Sequence, residues 1–461
     1  MKKKPLLILG CLLLVAGWFS AFVLNSLSQH NSLFILGPTL LLGAGMGLTH
    51  KAVGGKKTAI ALVFSAMAGL MLLNQLFPER SVSISAFKQR MKDGAKGTMV
   101  PIDVQDKDRT GSFMVARQLE AFADVEIQLY AQLPGVPGMM AVDPDGRLYV
   151  TMPVLGAIYR FADENRDGFA DRSSLFYVGL DRPSGIVWSE GKLYVAQPDQ
   201  LLELDDSNDD GQADQLRVVA AGFPDDGGHW RRAVVAGHDG FLYLSIGSRC
   251  NACVEKNQLR GTVVKIDPAA EKMSIFAWGL RNTVGLAFSP TDQTLWGTDV
   301  GRDGLGRQLP PDEINQIVAD GNYGWPYCFG DQIVDPQLGS KAICQKTQAS
   351  RVDLPVGSEP LGIVFGHQLH APTNYRNSLY VTLHGRPARE NSMAGKLVRI
   401  PYGGNRLSDH GQEFIRGWGT GEQAWGAPAA IVAGTDGSLY VSDDKAQVIY
   451  RISWKPKVAE E

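Results

Sequence analysis

The chain has 461 residues, of which 45 are Lys or Arg and 48 are Asp or Glu, so its formal net charge is −3. A chain of this length can bury a large core and still carry a further segment. The nearly balanced charge excludes the long-range attraction that a basic protein has for nucleic acid, so no nucleic-acid partner is expected. The 52 glycines are typical of a protein rich in strands and turns.

The N-terminal part contains three apolar runs, at residues 5–27, 32–48 and 58–77. Each is close to the ~20 residues that cross a bilayer as a helix. Lysines precede the first run and separate the second from the third, and the positive-inside rule places them in the cytoplasm. We therefore predict a membrane domain of three transmembrane helices at 1–78, held in the lipid bilayer of a bacterial inner (plasma) membrane, with the following chain in the periplasm. A cleaved signal peptide and a lipoprotein site at Cys11 are the alternatives.

A polar stretch of mixed charge follows at residues 79–120, and its composition predicts a linker. The segment from Val125 to Leu129 then alternates between apolar and polar residues. This alternation predicts a strand. The strand either begins the domain at 121–456 or closes that domain beside its last strands.

One short phrase recurs six times in this domain. It is a turn, usually marked by Gly or Asp, followed by Leu and an aromatic residue in an alternating run. The aromatic positions are Tyr149, Tyr194, Tyr243, Trp296, Tyr380 and Tyr440. Such a turn and run predict a strand, and recurrence at this spacing predicts a radial array of similar sheets. We predict an all-β six-bladed β-propeller. Two β-sandwiches would explain the strands but not the repeated phrase.

Two acidic loops with the same spacing follow the first two copies of the phrase. Oxygen-bearing side chains stand at positions one, three, five and nine, with Gly at six: Asp163, Asn165, Asp167 and Asp171 in the first loop, and Asp206, Asn208, Asp210 and Asp214 in the second. Ca²⁺ takes six to eight oxygen ligands, and Gly permits the sharp turn that brings them together. The spacing resembles the short calcium loops of integrin propellers. We predict two structural calcium sites; the alternative is an Asx-rich turn without metal.

Four cysteines lie in the predicted propeller. The pair Cys250 and Cys253 is compatible with half of a zinc site, a redox pair or a disulfide, and the absence of a following His excludes covalent attachment of c-type haem. An exported location favours disulfides. We predict the pairs Cys250–Cys253 and Cys328–Cys344.

Two polar segments precede predicted strands and are candidates for a site. His229 follows two glycines, and imidazole is the side chain best suited to proton transfer near neutral pH. Arg281 and Asn282 precede an apolar run, and a guanidinium can bind a carboxylate through two hydrogen bonds. The alternatives are a surface histidine, and a salt bridge between neighbouring blades.

Four segments together give a family resemblance: GGHWRR, CNAC, GLRNTVGLAF and DEINQIVADGNYGWPYC. They resemble the soluble quinoprotein glucose dehydrogenase and sorbosone dehydrogenase family over about Ala131 to Trp454. The resemblance implies a six-bladed propeller that uses pyrroloquinoline quinone (PQQ) and Ca²⁺. It implies that His229 is the general base for a sugar hydroxyl.

The same resemblance implies roles for further residues. Arg281 would polarise the reacting quinone carbonyl, and Asn282 would contact the cofactor. Backbone carbonyls near Gly301 and Arg302 would hold calcium, and Arg389 would contact a cofactor carboxylate. The chain departs from the family pattern in two places, since residues 384–389 read HGRPAR and Ala427 stands where the family has an arginine.

The sequence therefore predicts a membrane-anchored PQQ-dependent dehydrogenase of a sugar, alcohol or aldehyde. The electrons would pass to an acceptor such as ubiquinone or a cytochrome. Two alternatives are a non-catalytic binding propeller that has lost its cofactor, which the two departures favour, and a metal-dependent lactonase.

Overall fold

The computed structural model describes residues 97–122, 124–306, 308–385, 393–403, 406–408 and 411–455. The first elements are three strands, with single-turn 3₁₀ helices at Asp106–Asp108 and Gly111–Phe113 between the first two: β1 (Thr98–Asp103), β2 (Gln118–Ala121) and β3 (Val125–Gln132). Strand β1 pairs with β2 and β3. Strands β1 and most of β2 therefore fall in the stretch that the sequence assigned to a linker.

Two four-stranded antiparallel sheets follow, each built from consecutive strands. The first contains β4 (Met140–Val142), β5 (Leu148–Met152), β6 (Ala157–Ala162) and β7 (Arg172–Val178). The second contains β8 (Ile186–Ser189), β9 (Lys192–Ala196), β10 (Gln200–Asp205) and β11 (Gln215–Ala221).

The next two sheets are built in the same way, with small additions. Their strands are β12 (Val234–Ala236), β13 (Leu242–Ile246), β14 (Thr262–Asp267), β15 (Lys272–Trp278), β16 (Thr283–Phe288), β17 (Leu295–Asp299), β18 (Asp312–Ile317), β19 (Gly321–Asn322), β20 (Cys328–Phe329), β21 (Ile333–Val334) and β22 (Val352–Leu354). Strand β19 adds a fifth strand beside β15, β22 completes the sheet of β16–β18, and β20 pairs with β21. A one-turn helix, α1 (Lys341–Cys344), precedes β22.

The eight remaining strands form one eleven-stranded sheet together with β1, β2 and β3. They are β23 (Pro360–Phe365), β24 (Ser378–Leu383), β25 (Lys396–Gly403), β26 (Arg406–Leu407), β27 (Gln412–Arg416), β28 (Pro428–Ala433), β29 (Leu439–Asp443) and β30 (Val448–Trp454). Helix α2 (Thr373–Arg376) and 3₁₀ turns at Gly366–Gln368 and Gly421–Gln423 lie in the connections. The sheet runs β23-β24-β25-β27-β2-β1-β3-β30-β29-β28, with β26 beside β25.

The recurring phrase is the second strand of each four-stranded run. Every residue of β5, β13, β17, β24 and β29 is buried. The core lies between adjacent sheets: Tyr149 and Ile158 of the first sheet cluster with Ile186 and Leu193 of the second. An aromatic residue in this strand therefore fills the space between two sheets, which is why the phrase repeats.

The prediction of six separate blades was wrong. In the described part of the chain, four blade-like sheets are separate, and the strands of the last two copies of the phrase are joined in the eleven-stranded sheet. The physical cause is the pair β1 and β2, which bridges β3 and β27 and carries no copy of the phrase. The fold is all-β and propeller-like. Of the two positions considered for the strand at Val125 to Leu129, the structure shows the second: β3 pairs with β30 and so lies beside the last strands.

The finding for the described residues also contradicts the prediction of three transmembrane helices and of an inner-membrane location. No helix among them is long and apolar enough to cross a bilayer. Both α-helices of the described chain are single turns of four residues. The apolar runs on which the prediction depended, at 5–27, 32–48 and 58–77, lie outside the described residues.

The first strands of the units contact one another in a closed cycle, in the order β4, β8, β12, β16, β23, β28 and back to β4. Because the strands in each unit are antiparallel, the start of a first strand and the end of a second strand lie at the same edge. The loops at these ends form one mouth of the ring. The loop after each third strand lies at the opposite edge.

Candidate active site

His229 lies in the loop that leads into β12, and Ser248 follows β13, so both lie at the mouth of the ring. The His229 Nδ1 atom is 2.8 Å from the Ser248 carbonyl oxygen and 2.9 Å from its hydroxyl oxygen. A carbonyl can only accept, and the Ser248 hydroxyl donates its proton to the Cys250 carbonyl at 2.9 Å. Nδ1 therefore carries the proton in neutral His229, and the lone pair is on Nε2. In that tautomer Nε2 is the basic nitrogen.

Gly247 brings His229 and Asn282 together. A Cβ atom at position 247 would lie 2.7 Å from His229 Cβ and 2.9 Å from Asn282 Oδ1, closer than real Cβ contacts. The two side chains thus face each other across a residue that has none. Asn282 Oδ1 is buried and accepts no hydrogen bond from the described residues. A buried amide oxygen without a donor is costly, and a bound molecule with an N–H or O–H group would satisfy it.

The Arg281 guanidinium is buried, with 5% of the residue exposed. Its Nη1 donates to the Val300 carbonyl at 2.8 Å, and its Nε and Nη2 donate to the backbone and side-chain oxygens of Asn251 at 2.9 and 3.1 Å. The Arg281 carbonyl accepts from the Ser248 N–H at 2.8 Å. Arg281 is thereby linked through Ser248 to His229.

The turn of Arg281 and Asn282 is fixed by the carboxylate of Asp299, at the end of β17. One oxygen accepts from the Arg281 N–H at 2.8 Å and the other from the Asn282 N–H at 2.6 Å. Burial raises the pKa of Asp299 to about 6, against the lowering effect of these two hydrogen bonds. Sequence reasoning missed Asp299; the signal was an acidic residue at the end of a predicted buried strand.

Glu313 lies directly opposite Asp299 in the pairing of β17 with β18. Both residues are buried, and burial together with the Asp299 charge raises the pKa of Glu313 to about 8. Two neighbouring buried carboxyl groups resist simultaneous ionisation. At neutral pH Glu313 is therefore mostly the protonated member of the pair.

Gly301 and Arg302 follow β17 and lie at the same mouth. The Gly301 N–H donates to Asp312 Oδ1 at 2.8 Å, and the other Asp312 oxygen accepts from the Glu359 N–H at 2.9 Å. The Arg302 side chain pairs with the buried Asp335 at 2.6 Å. The Gly301 segment lies next to the turn of Arg281 and Asn282, because Arg281 donates to the carbonyl of the preceding residue, Val300. The Arg302 guanidinium forms an ion pair with Asp335.

A further charged cluster at the mouth contains Glu359, His384 and Asp444. His384 Nε2 is 3.0 Å from both Asp444 carboxylate oxygens, and Nδ1 is 3.5 Å from Glu359 Oε2. Burial opposes the imidazolium, but the hydrogen bonds to both carboxylates prevail and raise the pKa of His384 to about 10. The Asp444 N–H donates to the Ala427 carbonyl at 3.2 Å. Sequence reasoning missed this cluster, although His384 and Asp444 both follow a copy of the repeated phrase.

The two acidic loops lie at the opposite edge, after β6 and β10, and do not join this site. They share one hydrogen-bond pattern. Asp163 accepts from the N–H groups of Asp167 and Gly168 at 3.1 and 2.8 Å, and Asp206 accepts likewise from Asp210 and Gly211 at the same distances. In both loops the Asn amide, of Asn165 or Asn208, donates to the last Asp, Asp171 or Asp214, at 3.1 Å.

Among the described residues, one group of three His, Cys, Asp or Glu side chains has its ligand atoms within 4.8 Å of one another: Cys250, Cys253 and Glu255. The two cysteines are joined in a disulfide, as are Cys328 and Cys344, so the predicted pairing is confirmed. Arg389, the remaining predicted cofactor contact, lies outside the described residues. The acidic loops as calcium sites remain a prediction.

Residues 114–309 match a domain family of unknown function, DUF7133. An uncharacterised protein of Borreliella burgdorferi is 26% identical over 335 residues, which is 69% of this chain and 86% of that protein. The aldose sugar dehydrogenase YliI of Escherichia coli is 26% identical over 215 residues, 43% of this chain and 50% of that protein. The sequence match to the sugar dehydrogenase therefore spans about half of each protein.

Two solved structures extend the comparison to 73% of this chain. A calcium structure of a family AA12 carbohydrate-active enzyme from Trichoderma reesei has a TM-score of 0.66 at 18% identity, covering 73% of this chain and 97% of that one. The holo PQQ domain of a pyranose dehydrogenase from Coprinopsis cinerea has a TM-score of 0.62 at 18% identity, with the same coverage. This chain shares the fold of those two proteins.

Proposed function

We propose that the protein is a PQQ-dependent dehydrogenase that oxidises a sugar, or a related alcohol or aldehyde, with His229 as the general base. The observation that carries the proposal is the approach of His229 and Asn282 across Gly247, beside the buried guanidinium of Arg281. Removing hydride and proton from one carbon–oxygen unit requires a base and an electron acceptor at one place. The fold shared with sugar dehydrogenases of known cofactor supports the same function.

His229 is suited to this role by its tautomer. The two Ser248 oxygens hold the proton on Nδ1, so Nε2 is the nitrogen that would take the proton of a substrate hydroxyl. The same hydrogen bonds fix the plane of the ring. They also stabilise the imidazolium that forms when the proton has been taken.

Arg281 and Asn282 are the described residues that would hold the cofactor, and Arg389 would be a third contact. When bound, PQQ supplies an ortho-quinone that accepts a hydride. The unsatisfied Asn282 Oδ1 fits a ligand with a donor group, and the Arg281 guanidinium would stabilise negative charge that develops on a nearby oxygen. The carbonyls of Gly301 and Arg302 are the proposed calcium ligands at the cofactor. The electron acceptor would be a quinone such as ubiquinone, or a cytochrome.

The test is reconstitution of the purified protein with PQQ and Ca²⁺, followed by an assay of aldoses and aldehydes with an artificial electron acceptor. We expect sugar-dependent reduction of the acceptor, and loss of most turnover in His229→Ala with PQQ binding retained. The matched control is His238→Ala, which changes a histidine in the loop after β12. Equal turnover in His229→Ala and the wild type would show that His229 is not the general base. Failure of the wild type to bind PQQ would rule out the proposed dehydrogenase activity.

A second candidate is a propeller that binds a carbohydrate without oxidising it. The cluster of Glu359, His384 and Asp444 favours it, because it places two carboxylates at the side of the mouth where Ala427 lies. The resembling family has an arginine at the position of Ala427, and carboxylates there would repel the carboxylates of the cofactor instead of attracting them. Carbohydrate binding by calorimetry, with no binding of PQQ, would favour this candidate over the dehydrogenase.

A further inference from the structure

The loop closed by the disulfide Cys250–Cys253 contacts three parts of the candidate site. We propose that Asn251, within this loop, is a positioning residue for Arg281, and that the disulfide is a thiol-sensitive clamp that keeps Asn251 in place. The inference rests on the proposed function, because it assigns the clamp to the residues that would hold the cofactor. It adds to that function a disulfide whose reduction would weaken the binding of the cofactor.

Asn251 provides two of the guanidinium's hydrogen-bond acceptors. Arg281 Nε donates to its backbone oxygen at 2.9 Å, and Arg281 Nη2 donates to its side-chain oxygen at 3.1 Å. The two bonds come from one edge of the guanidinium, so together they fix its plane as well as its position. Asn251 itself is exposed, whereas Arg281 is buried. A surface loop, together with the Val300 carbonyl, therefore holds a buried cation in position.

The same side chain also holds the segment that follows β17. Asn251 Oδ1 accepts from the Asp303 N–H at 2.8 Å, and its Nδ2 donates to the Asp303 carbonyl at 3.1 Å. Asp303 directly follows Gly301 and Arg302, the proposed source of calcium ligands. One asparagine thus ties the guanidinium to the calcium segment.

The loop is joined to His229 at its other end. The Cys250 carbonyl accepts from the Ser248 hydroxyl, and that hydroxyl oxygen lies 2.9 Å from His229 Nδ1. Cys250 and Cys253 enclose Asn251 in a ring of four residues, with a Cα–Cα distance of 6.2 Å. A cross-link this short restricts the conformation of a partly exposed loop.

The clamp can be opened chemically. Cys250 and Cys253 are half-buried, whereas Cys328 and Cys344 are 2% and 1% exposed. A dithiol reductant attacks one sulfur of Cys250–Cys253 through a thiolate, and its second thiol completes the exchange. Two electrons and two protons pass to the protein as two cysteine thiols, and the reductant becomes a cyclic disulfide. The difference in burial makes the loop disulfide the more accessible of the two.

The experiment compares the full-length wild type, Asn251→Ala, Asn251→Asp and Cys250→Ser/Cys253→Ser, with Cys328→Ser/Cys344→Ser as the matched disulfide control. PQQ affinity is measured by titration, and hydrogen–deuterium exchange of residues 299–306 is measured in the cofactor-free proteins. We expect Asn251→Ala to bind PQQ roughly tenfold more weakly and to exchange the Asp303 amide faster, since the side-chain bond to the charged Arg281 and both side-chain bonds to Asp303 are lost. Asn251→Asp keeps the oxygen that accepts from Arg281 and should recover most of the affinity.

The loop-cysteine variant should behave like Asn251→Ala, and so should wild type treated with dithiothreitol until Cys250 and Cys253, but not Cys328 and Cys344, are alkylated. The control cysteine variant should lose stability without faster exchange of the Asp303 amide. If the wild type binds no PQQ, the proposed function fails, and exchange alone decides whether Asn251 holds the segment. Wild-type exchange and wild-type PQQ affinity in Asn251→Ala would overturn the inference.

Discussion

The Nδ1 atom of His229 lies within hydrogen-bond distance of both oxygens of Ser248, the carbonyl at 2.8 Å and the hydroxyl at 2.9 Å. The carbonyl alone is enough to fix the tautomer, because it cannot donate. The hydroxyl adds a second acceptor and a link to the disulfide loop.

These two contacts predict different effects for two variants. His229→Ala should lower kcat by roughly 100- to 10,000-fold, the range for loss of a general base. Ser248→Ala should lower kcat by less than about tenfold, because the backbone oxygen still orients the ring. Steady-state kinetics of the reconstituted protein checks both, and an equal loss in the two variants would contradict the tautomer argument.

Gly247 offers a steric test of the approach of His229 and Asn282. In Gly247→Ala the new methyl group would meet His229 Cβ at 2.7 Å and Asn282 Oδ1 at 2.9 Å, so the two side chains must separate. We expect PQQ affinity and kcat both to fall by roughly tenfold or more, as expected when groups are displaced by about 1 Å. Gly228→Ala is the matched control, since a Cβ there meets nothing within 4 Å. Equal kinetics for the two alanine variants would show that the pair does not work together.

Glu313 predicts a pH dependence of stability. Burial, followed by the charge of Asp299, raises the pKa of Glu313 in the folded protein to about 8, from an ordinary 4.5. Between these values the folded state holds a proton that the unfolded state has released, so the free energy of unfolding falls as pH rises. The slope is at most about 1.4 kcal/mol per pH unit.

The variant Glu313→Gln should remove this fall, because glutamine resembles the protonated acid and does not titrate. Relative to the wild type it should therefore gain stability between pH 5 and pH 8. Chemical denaturation across that range measures the difference, with the exposed Glu126→Gln as control. A stability difference that does not change with pH would mean that Glu313 is ionised in the folded protein.

The repeated strands could be predicted from the sequence because their signal is local. A turn followed by Leu and an aromatic residue is visible in any window, and burial between two sheets explains the composition of strands such as β5 and β29. Strand β1 gave no such signal. Its residues are mostly exposed, and its partners β2 and β3 decide its conformation, so its composition suggested a linker.

The site was predictable in its residue types but not in its connections. His229, Arg281 and Asn282 have recognisable chemistry. The contact of Asn251 with Arg281 joins residues 30 apart, and that of His384 with Asp444 joins residues 60 apart. Such contacts depend on which loops the ring brings to one mouth, and no local pattern encodes that. The same limit applies to Asp299, because its role depends on hydrogen bonds from the backbone N–H groups of Arg281 and Asn282, which precede the neighbouring strand β16.

The acidic loops predict two calcium ions per cofactor-free chain. If both loops bind Ca²⁺, equilibrium titration should give two sites in the wild type and one in each of Asp163→Asn and Asp206→Asn. Saturating calcium at about 100 times Kd would stabilise the fold by about 2.7 kcal/mol per site. The exposed Asp331→Asn serves as control. A thermal midpoint that responds to neither calcium nor chelator would assign the loops to Asx turns without metal.

His384 provides a second pH test, in which stability also falls as pH rises but over a higher pH range. Although burial disfavours its charge, the hydrogen bonds to Asp444 and Glu359 raise the pKa of His384 to about 10, from an ordinary 6.5. The resulting stabilisation is complete below about pH 6.5, where both states are protonated, and is lost as pH rises through about 10. His384→Gln keeps hydrogen-bonding groups and loses the charge. It should cost about 2 kcal/mol of unfolding free energy at pH 6 and almost nothing above pH 10.

Chemical denaturation at pH 6 and at pH 10.5 measures that loss, with His370→Gln as the control for a histidine outside the cluster. The same variant separates the two candidate functions, because it leaves Glu359 and Asp444 without the imidazolium between them. A dehydrogenase should then bind the anionic cofactor more weakly, since the negative charge next to Ala427 is no longer partly neutralised. Unchanged PQQ affinity in a folded His384→Gln variant would mean that this side of the mouth does not face the cofactor.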